Sequence, residues 1–355
     1  MGLTIGIPKE HRPFEYRVGL TPLGVSIQTE QGHQCYVESN AGVGSGFTDT
    51  RYEQAGARIA YGIEEVFRRA DLLLKVQRPT EKEVSWMAEG QTLMAFMFLA
   101  SAQRSRLEAL REKRATVIAF ELIEEADGTQ PVMTPLSQIG GRMAAQIAAQ
   151  YLQNDKGGSG QLLGGIAGIP PARVVIVGAG RVGVSATQAF LGMGANVTLL
   201  DLDLKKLQSA QDRFNGLVST IMAYPSNLAR ACEKADVVVG AIQTPGRPTP
   251  KIISHEMVQT MHPGAIIIDM SIDQGGCVET SRPTQHDQPT FVVDGVIHYC
   301  VPNIPGVVGR TATHAFLNAA WPYIQIVASE GLDAALEKLP ALRCGLVLRE
   351  GKLTG

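Results

Sequence analysis

The segment VVIVGAGRVG at 174–183 constrains the fold of this 355-residue chain more than any other feature. It places the pattern G-x-G-x-x-G after a run of β-branched residues and before a helical segment, and a following strand ends in Asp201, 18 residues after Gly183. This spacing is typical of a dinucleotide-binding βαβ unit, whose acidic residue lies about 20 residues further on. Gly178 permits the sharp turn, Gly180 lets the backbone approach a pyrophosphate, and Gly183 lets helix and strand pack closely.

Asp201 indicates which dinucleotide is bound. Its carboxylate would accept hydrogen bonds from the adenosine ribose hydroxyls and repel a 2′-phosphate, so the sequence predicts NAD rather than NADP. Lys205 and Lys206 weaken this preference, because a base nearby could accept a phosphate. We also expect Arg181 and Val182, which open the helix, to face the phosphates, since a helix N-terminus attracts anions.

Short apolar runs alternate with helical segments along both halves of the chain, which predicts the α/β class with parallel sheets. In the first half we predict strands at 4–8, 34–39, 70–76, 92–99 and 116–120, and helices at 21–31 and 103–113. In the second half we predict strands at 173–177, 196–200, 236–241, 265–269, 292–299 and 301–305, and helices at 139–154, 179–194 and 312–336. The repeated pattern predicts two Rossmann-like domains.

Composition excludes several classes of protein. A hydrophobic content of 45% excludes a disordered chain, and 32 basic against 34 acidic residues argue against a nucleic-acid partner. The longest apolar run, at 93–100, is far shorter than the roughly 20 residues that span a bilayer. The five cysteines are scattered, and no metal-binding spacing such as H-E-x-x-H or C-x-x-C occurs. We therefore expect a cytoplasmic protein without a metal and without a membrane partner.

A series of motifs spread over nearly the whole chain is similar to one enzyme family. The motifs are IGIPKE, EYRVGLTP, AGVGSGFTD, ADLLLKV, LSQIGGRMAAQ, VGAGRVG, GMGANVTLLD, IDQGGCVETSRPT, DGVIHYCVPNIPG and RTATHAFLNAAWPY. With these motifs the chain resembles the alanine dehydrogenase family, which shares its fold with the nucleotide-binding domain I of proton-translocating transhydrogenase. The last two motifs are similar to the dehydrogenase and are not typical of the transhydrogenase.

The resemblance implies an architecture and an activity. A substrate domain formed by 1–133 and 305–355 would be discontinuous around a central NAD-binding Rossmann domain at 134–304. The activity would be the reversible, NAD-dependent oxidative deamination of an L-amino acid to a 2-oxo acid, ammonia and NADH. Family members are homo-oligomers, so a hexamer or a dimer is expected.

Arg17 and Lys75 match the family's ligands of the substrate carboxylate and carbonyl, and the resemblance also gives Lys75 a catalytic role. An arginine fork can bind a carboxylate at two points, and a lysine at the end of a buried strand is costly unless an anion meets it. The alternatives are a surface charge after a turn for Arg17 and a strand-end lysine that reaches solvent for Lys75.

Asp273 matches the family's catalytic aspartate near the nicotinamide. It follows the predicted strand at 265–269, and α/β proteins bind their ligands at the carboxyl ends of such strands. The alternative is an Asx turn before Gly275. The resemblance also implies cofactor contacts for Ile272 and Asp273, a contact of Asn303 with nicotinamide and substrate, and a place near the phosphates for Ser137. Asp269 is interpreted as structural.

The sequence departs from the family at the position of its acid/base histidine. Where the family has a motif like F-L-H-L-A, this chain has FMFLA at 96–100, so Phe98 stands in place of the histidine and would contact the substrate. Three other departures are also apolar: Phe120 stands in place of a common tyrosine, and Leu136 and Ile304 stand in place of methionines. A fourth replaces a charge with an amide, since Gln138 stands in place of a common glutamate. No other histidine takes the missing place in the sequence.

Three consequences of Phe98 stay open. A bulkier or more apolar substrate side chain could pack on it, which would make alanine a poor substrate. Asp273 and Lys75 could manage proton transfer alone, or the protein could bind nucleotide with little catalysis. A lost general acid–base group typically costs roughly 10²–10⁴-fold in rate.

Two further functions remain as alternatives. The first is an NADH-dependent imine or opine-type reductase acting on a 2-oxo acid plus an amine, or on a cyclic imine, which the more apolar pocket favours. The second is an NAD(H)-binding module like transhydrogenase domain I, without amino-acid turnover.

Overall fold

The computed structural model describes residues 2–99, 104–243 and 248–354. These residues form two compact units. The first unit comprises the chain up to Leu136 and from Pro305 onward, and the second comprises Ser137–Ile304. Ala100 of the FMFLA motif and Gln103, the first residue of a predicted helix, lie outside the described residues.

The secondary structure follows the alternation of the sequence. The strands are β1 (Thr4–Ile7), β2 (Gln34–Glu38), β3 (Arg58–Ala60), β4 (Leu72–Gln77), β5 (Thr92–Phe96), β6 (Thr116–Ala119), β7 (Arg173–Val177), β8 (Asn196–Asp201), β9 (Ser219–Met222), β10 (Val237–Gly240), β11 (Ile266–Asp269), β12 (Thr290–Val293), β13 (Val296–Tyr299), β14 (Leu346–Arg349) and β15 (Lys352–Leu353). The helices are α1 (Pro22–Glu30), α2 (Asp49–Gln54), α3 (Ile63–Arg69), α4 (Glu81–Trp86), α5 (Arg104–Glu112), α6 (Met133–Tyr151), α7 (Arg181–Gly192), α8 (Leu204–Arg213), α9 (Pro225–Glu233), α10 (His255–Gln259), α11 (Gly309–Glu330), α12 (Leu332–Lys338) and α13 (Ala341–Gly345).

The first unit is built on an eight-stranded sheet with the order β15-β14-β6-β5-β4-β1-β2-β3. Strands β1 to β6 are parallel, and β14 and β15 add an antiparallel edge. From β1 the chain winds first to β2 and β3 and then, on the other side, to β4, β5 and β6. The strand order therefore reverses between β1 and β4, which is where a doubly wound sheet binds ligands at its carboxyl ends.

The second unit has a seven-stranded sheet with the order β12-β13-β11-β10-β7-β8-β9. All neighbours are parallel except β12, which pairs with β13 in an antiparallel hairpin. Counted from β7, the parallel strands have the same order as those of the first sheet, with the reversal between β7 and β10. The predicted α/β fold with two mostly parallel sheets is confirmed.

The central strands are buried because parallel sheets are covered on both faces, which requires continuous apolar runs rather than alternation. The strand β10 reads VVVG and β11 reads IIID, and every residue of both is buried. β4, which reads LLLKVQ, is equally buried although it contains Lys75. Among the described residues, none of the helices is both long and apolar enough to cross a bilayer.

Four predicted elements were wrong. The single helix predicted at 312–336 is two helices, α11 and α12, because Gly331 between them has a φ of +83°. The single strand predicted at 292–299 is a hairpin, because Asp294 and Gly295 both have positive φ, as a tight two-residue turn requires. The strand predicted at 301–305 is absent from the described structure, where a 3₁₀ helix covers Ile304–Val308. The helix predicted from 139 begins at Met133, since a proline near the start of a helix is tolerated.

Candidate active site

The glycine motif of the second unit forms a tight turn after β7. Gly178 has a φ of +111°, and its N–H donates to the carbonyl of Leu200 at 2.7 Å. A Cβ at Gly178 would lie 2.4 Å from the carbonyl oxygen of Ala241, just past β10, and a Cβ at Gly183 would lie 1.8 Å from the carbonyl oxygen of Gly178. Both glycines are therefore required by the fold itself, at the point where the strand order reverses.

Gly180 is different, because a Cβ built on it would meet no atom within 4 Å. It is the N-cap residue of α7, and no side chain caps the first turn of this helix. A residue with space beside it has no packing reason to be glycine, but the close approach of a pyrophosphate to the backbone would be one. The loop and the start of α7, with Arg181 and Val182, therefore fit the phosphates of a dinucleotide.

Asp201, at the end of β8, accepts hydrogen bonds from the glycine loop after β7 and from the backbone after β8. One carboxylate oxygen accepts the N–H of Ala179 at 2.7 Å, and the other accepts the N–H of Asp203 at 2.9 Å. The surface beside it carries the exposed Leu202 and Leu204, which could contact an apolar base while Asp201 meets a polar ribose. Lys206 is exposed in the first turn of α8. It follows Lys205, whose backbone N–H donates to the side chain of Asp203.

Asp273 and Asn303 lie together in the second unit. Asp273 is exposed in a 3₁₀ helix, Ile272–Gln274, just past β11, and its carboxylate accepts the N–H of Asn303 at 3.4 Å. Asn303 has a φ of +55°. Ile272 is buried beside them. Asp269 is almost completely buried and accepts the N–H groups of Ser271 and Cys277 at 3.0 Å each, which agrees with a structural role.

Ser137 lies in the first turns of α6. The carbonyl of its neighbour Gln138 accepts the hydroxyl of Ser185 in α7 at 2.7 Å. A Cβ at Gly141 would lie 2.4 Å from the carbonyl oxygen of Val182, so α6 and α7 pack backbone against backbone. Ser137 therefore stands near the N-terminal part of α7, where the proposed phosphates would bind.

In the first unit, Lys75 lies on β4 next to the reversal of the strand order and is 1% exposed. Its ammonium donates to Glu10 at 3.3 Å and to Glu83 at 3.0 Å, and the ring centroid of Phe67 is 5.9 Å from it. Burial disfavours the charged amine, but the two carboxylates outweigh it and raise the pKa of Lys75 above its usual value. The lysine does not reach solvent, and two carboxylates of the chain supply the anions that its burial requires.

Both carboxylates also hold backbone. Glu10 accepts the N–H of Val76 at 2.7 Å, and burial raises the pKa of Glu10 although Lys75 opposes this. Glu83 accepts the N–H of Thr80 at 2.6 Å and completes a capping box at the start of α4. The loop after β1, the strand β4 and the helix α4 are thus joined at a single ammonium group.

Arg17 is buried beside this group. Its guanidinium donates to both oxygens of Glu15, at 2.7 and 2.5 Å, and Gln77 at the end of β4 donates to Glu15 at 2.9 Å. Arg17 is therefore not a surface charge but part of a polar network at the carboxyl ends of β1 and β4. A carboxylate of a substrate would compete with Glu15 for this fork.

Phe98 has a φ of +45°, which is unusual for a bulky residue. The turn is held through its backbone: Glu121 accepts the N–H groups of Met97 and Phe98 at 3.0 and 2.5 Å, and Arg78 donates to the carbonyl of Phe98 at 3.2 Å. The ring of Phe98 stacks on Phe96 with centroids 5.8 Å apart. Phe96 in turn contacts Phe120 and Phe316, so Phe98 adjoins an aromatic cluster.

Sequence reasoning missed the groups that hold the proposed site residues: Glu10, Glu15, Gln77, Glu83, Arg78 and Glu121. The one available signal was Lys75 itself, because a buried ammonium implies an anionic partner. Its partners are 65 and eight positions away in the sequence, so no local spacing identifies them. In the part of the chain that the structure describes, no cluster of three or more His, Cys, Asp or Glu side chains has the geometry of a metal site.

Comparison with known proteins gives the family. Models of the N-terminal and C-terminal domains of "Alanine dehydrogenase/PNT" match residues 6–140 and 144–355. The alanine dehydrogenase of Methanococcus maripaludis is 45% identical over 353 residues, 99% of this chain and 94% of that protein. The chain belongs to the alanine dehydrogenase/PNT family. The alanine dehydrogenase of Mycobacterium tuberculosis is 42% identical, with 99% of this chain and 94% of that protein covered.

Solved structures agree with this membership. An L-alanine dehydrogenase superposes with a TM-score of 0.94 at 39% identity, covering 99% of this chain and 96% of that one. A transhydrogenase from Sinorhizobium meliloti, at 24% identity and with 99% of each chain covered, has a TM-score of 0.85 and shares the fold.

The two glycines of the loop give a matched pair of variants. We expect Gly183→Ala to lower the free energy of unfolding by about 1–3 kcal/mol, because its Cβ collides with backbone. Gly180→Ala meets no atom, so it should change stability less and instead weaken NADH binding about tenfold or more. Urea unfolding and fluorescence titration with NADH measure the two effects. Equal loss of stability in both variants would contradict the separate roles.

The carboxyl of Glu121 gives a pH dependence of stability. Burial raises the pKa of Glu121 above its usual value of 4.5, although the backbone N–H groups bound to it act in the opposite direction. The folded protein therefore loses stability as the pH rises through the folded-state pKa and this carboxyl ionises. Glu121→Gln stays neutral, and its stability relative to the wild type should therefore increase from about pH 4 to about pH 7. Urea unfolding at several pH values measures this, with the exposed Glu108→Gln as control. A relative stability that decreases with pH would show the opposite shift.

Proposed function

We propose that this protein is an NAD-dependent L-amino-acid dehydrogenase of the alanine dehydrogenase type. It would convert an L-amino acid and water reversibly into a 2-oxo acid and ammonia while NAD is reduced. Support comes from relatives named alanine dehydrogenase that cover 99% of the chain at 42–45% identity. The chemistry of the described residues agrees with this activity.

The observation that carries the proposal is the pair of buried cations, Arg17 and Lys75, in the first unit. They lie at the carboxyl ends of β1 and β4, where the strand order reverses, and both are held in place by carboxylates. A guanidinium fork and an ammonium are the groups that a 2-oxo or 2-amino acid needs to hold its carboxylate and to polarise its carbonyl. Few structural roles require two cations at such a place.

The cofactor would be held by the second unit. The proposed contacts are Ser137, Gly178, Gly180, Arg181, Val182, Gly183, Asp201, Lys206, Ile272, Asp273 and Asn303. The space beside Gly180 and the uncapped start of α7 support a pyrophosphate there, and the carboxylate of Asp201 supports NAD rather than NADP. When bound, NAD supplies an acceptor for the hydride that leaves C2 of the amino acid.

The side chains would share the remaining work. Arg17 binds the substrate carboxylate, and Lys75, which uses two of its three N–H donors on Glu10 and Glu83, donates the third to the substrate. Asp273 accepts a proton from the water that adds to C2 of the imine, and it returns a proton to the departing ammonia. Phe98 packs against the substrate side chain in place of the family histidine.

A second candidate function has one observation in its favour. The ring of Phe98 is half-buried and stacks on the buried Phe96, which gives an apolar contact that suits a larger amine or imine better than ammonia. The alternative is therefore the NADH-dependent reduction of an imine formed from a 2-oxo acid and an amine. The homo-oligomeric state, hexamer or dimer, and the cytoplasmic location stay predictions.

Asp273→Asn tests the proposed proton carrier. We expect kcat to fall by about 10²–10⁴-fold while NADH affinity stays within a few-fold, because an amide cannot accept the proton. The control is Asp287→Asn, an exposed aspartate elsewhere in the same unit. Steady-state kinetics and NADH titration measure both quantities. A kcat within threefold of the wild type would remove Asp273 from the mechanism.

Phe98→His tests the departure from the family. Histidine is enriched at positive φ, so the turn should accept it, and the new acid–base group should raise kcat/KM for alanine by about 10²-fold or more. Phe98→Leu is the control, since it removes the ring without adding a titratable group. If the wild type already turns alanine over at an ordinary kcat of roughly 1–10³ s⁻¹, Phe98 does not redirect specificity.

A further inference from the structure

Two arginines of the first unit have buried guanidinium nitrogens without an acceptor. Arg12 lies in the loop after β1, and Arg106 lies in α5. Among the described residues, Nε of Arg12 and both Nε and one terminal nitrogen of Arg106 are buried and have no hydrogen-bond partner. Burial, and next the like charge of Arg106, lower the pKa of Arg12, so neither charge is favoured by the other.

Such an arrangement is unfavourable without a ligand. A buried donor that is left unpaired costs about 1–3 kcal/mol, and more when it carries a charge. Like charges held together add to this cost. Buried unsatisfied groups are few in folded proteins, and a planar guanidinium is the group best matched to a carboxylate. The two arginines therefore have the character of an anion site.

The surrounding charges point the same way. Arg12 is influenced by Glu10, Glu83 and Glu15, but these carboxylates already bind Lys75 and Arg17. Among the described residues, no carboxylate accepts a hydrogen bond from Arg12 or Arg106. A carboxylate from a ligand would supply the acceptor that both guanidinium groups lack.

Hydrogen bonds connect this site to the proposed substrate residues. Arg12 donates to the carbonyl of Arg78 at 3.3 Å, and Arg78 donates to the carbonyl of Phe98 at 3.2 Å. The same loop that carries Arg12 carries Glu10, which binds Lys75. An anion at Arg12 would thus lie at the same edge of the sheet as the residues proposed to hold C2 and the side chain of the substrate.

We propose that Arg12 and Arg106 bind a second carboxylate of the substrate. The inference rests on the proposed function and names its substrate class as dicarboxylic, with the apolar stem between the carboxylates packed on Phe98. Two sources have this chemistry. One is an acidic amino acid. The other is the imino diacid that forms when a 2-oxo acid condenses with the amine of an amino acid.

Both reactions balance. An acidic amino acid, water and NAD⁺ give the 2-oxo diacid, ammonium, NADH and a proton: the C2–H bond breaks, its electron pair leaves as hydride to NAD⁺, and the oxygen of water replaces the nitrogen. In the second reaction the condensation releases water. The imine carbon then takes hydride from NADH and the nitrogen takes a proton, which gives a secondary amine with two carboxylates.

The test compares substrates across matched variants. Wild type and Arg106→Gln are assayed for NAD⁺ reduction with L-aspartate, L-glutamate, L-alanine and L-norvaline. They are also assayed for NADH oxidation with pyruvate or 2-oxoglutarate plus ammonia or an amino acid. Arg106→Lys tests whether charge alone restores binding. Arg111→Gln, an exposed arginine of the same helix, is the control, and thermal unfolding verifies that each variant is folded.

We expect the wild type to prefer a dicarboxylic substrate over alanine. Arg106→Gln should lower the ratio of kcat/KM for dicarboxylic over neutral substrates by roughly 30-fold or more, mainly through KM, because it removes a charged partner of a buried carboxylate. Arg111→Gln should leave this ratio unchanged. Activity with acidic amino acids would identify the first source, and activity that requires an amino acid plus a 2-oxo acid would identify the second.

Other results would overturn the inference. Turnover of neutral amino acids alone would refute it and leave the proposed function intact, as would an equal loss by Arg106→Gln on neutral and dicarboxylic substrates. If sulfate stabilises the wild type but not Arg106→Gln, and no dicarboxylic substrate reacts, the arginines bind a free anion instead. NADH binding without turnover of any substrate would refute the proposed function, and the inference with it.

Discussion

The ammonium of Lys75 is the group on which the first unit's site depends. It is buried within a strand, where an unpaired charge would cost several kcal/mol, and it is neutralised by Glu10 and Glu83. Each carboxylate uses its second oxygen on backbone, at β4 and at the start of α4. Removing either one would leave a buried charge and free a loop or a helix start, so the charge and the local fold stabilise each other.

The two units combine the same strand order with different loops. After β7 the turn is built from glycines and leaves backbone N–H groups at the start of α7, which would suit the phosphates of a dinucleotide whatever the side chains are. After β1 the chain instead continues to Glu10, Glu15 and Arg17, so recognition depends on side chains and on the charges that balance them. The first arrangement can be read from a short motif, and the second cannot.

This difference explains how far the sequence could predict the site. The glycine spacing and the apolar runs identify the second unit's loop and the central strands, because both signals are local. The groups that bind Lys75 and Arg12 come from loops and a helix that the folded sheet brings together. No spacing along the sequence predicts these contacts. The positive φ of Phe98 could not be predicted for another reason, since this backbone conformation at a bulky residue leaves no signal in the sequence. The hairpin did leave one: Asp294-Gly295 between two apolar runs is typical of a two-residue turn, and the single-strand interpretation of 292–299 passed over it.

The turn at Phe98 also explains how specificity could change while the fold is kept. Glu121 and Arg78 bind N–H and carbonyl groups of the backbone in this turn, and these groups are the same for any non-proline residue at position 98. The strain of a positive φ is therefore supported by residues that do not depend on the ring. A histidine could therefore occupy the same backbone conformation as the phenylalanine, since histidine is enriched at positive φ.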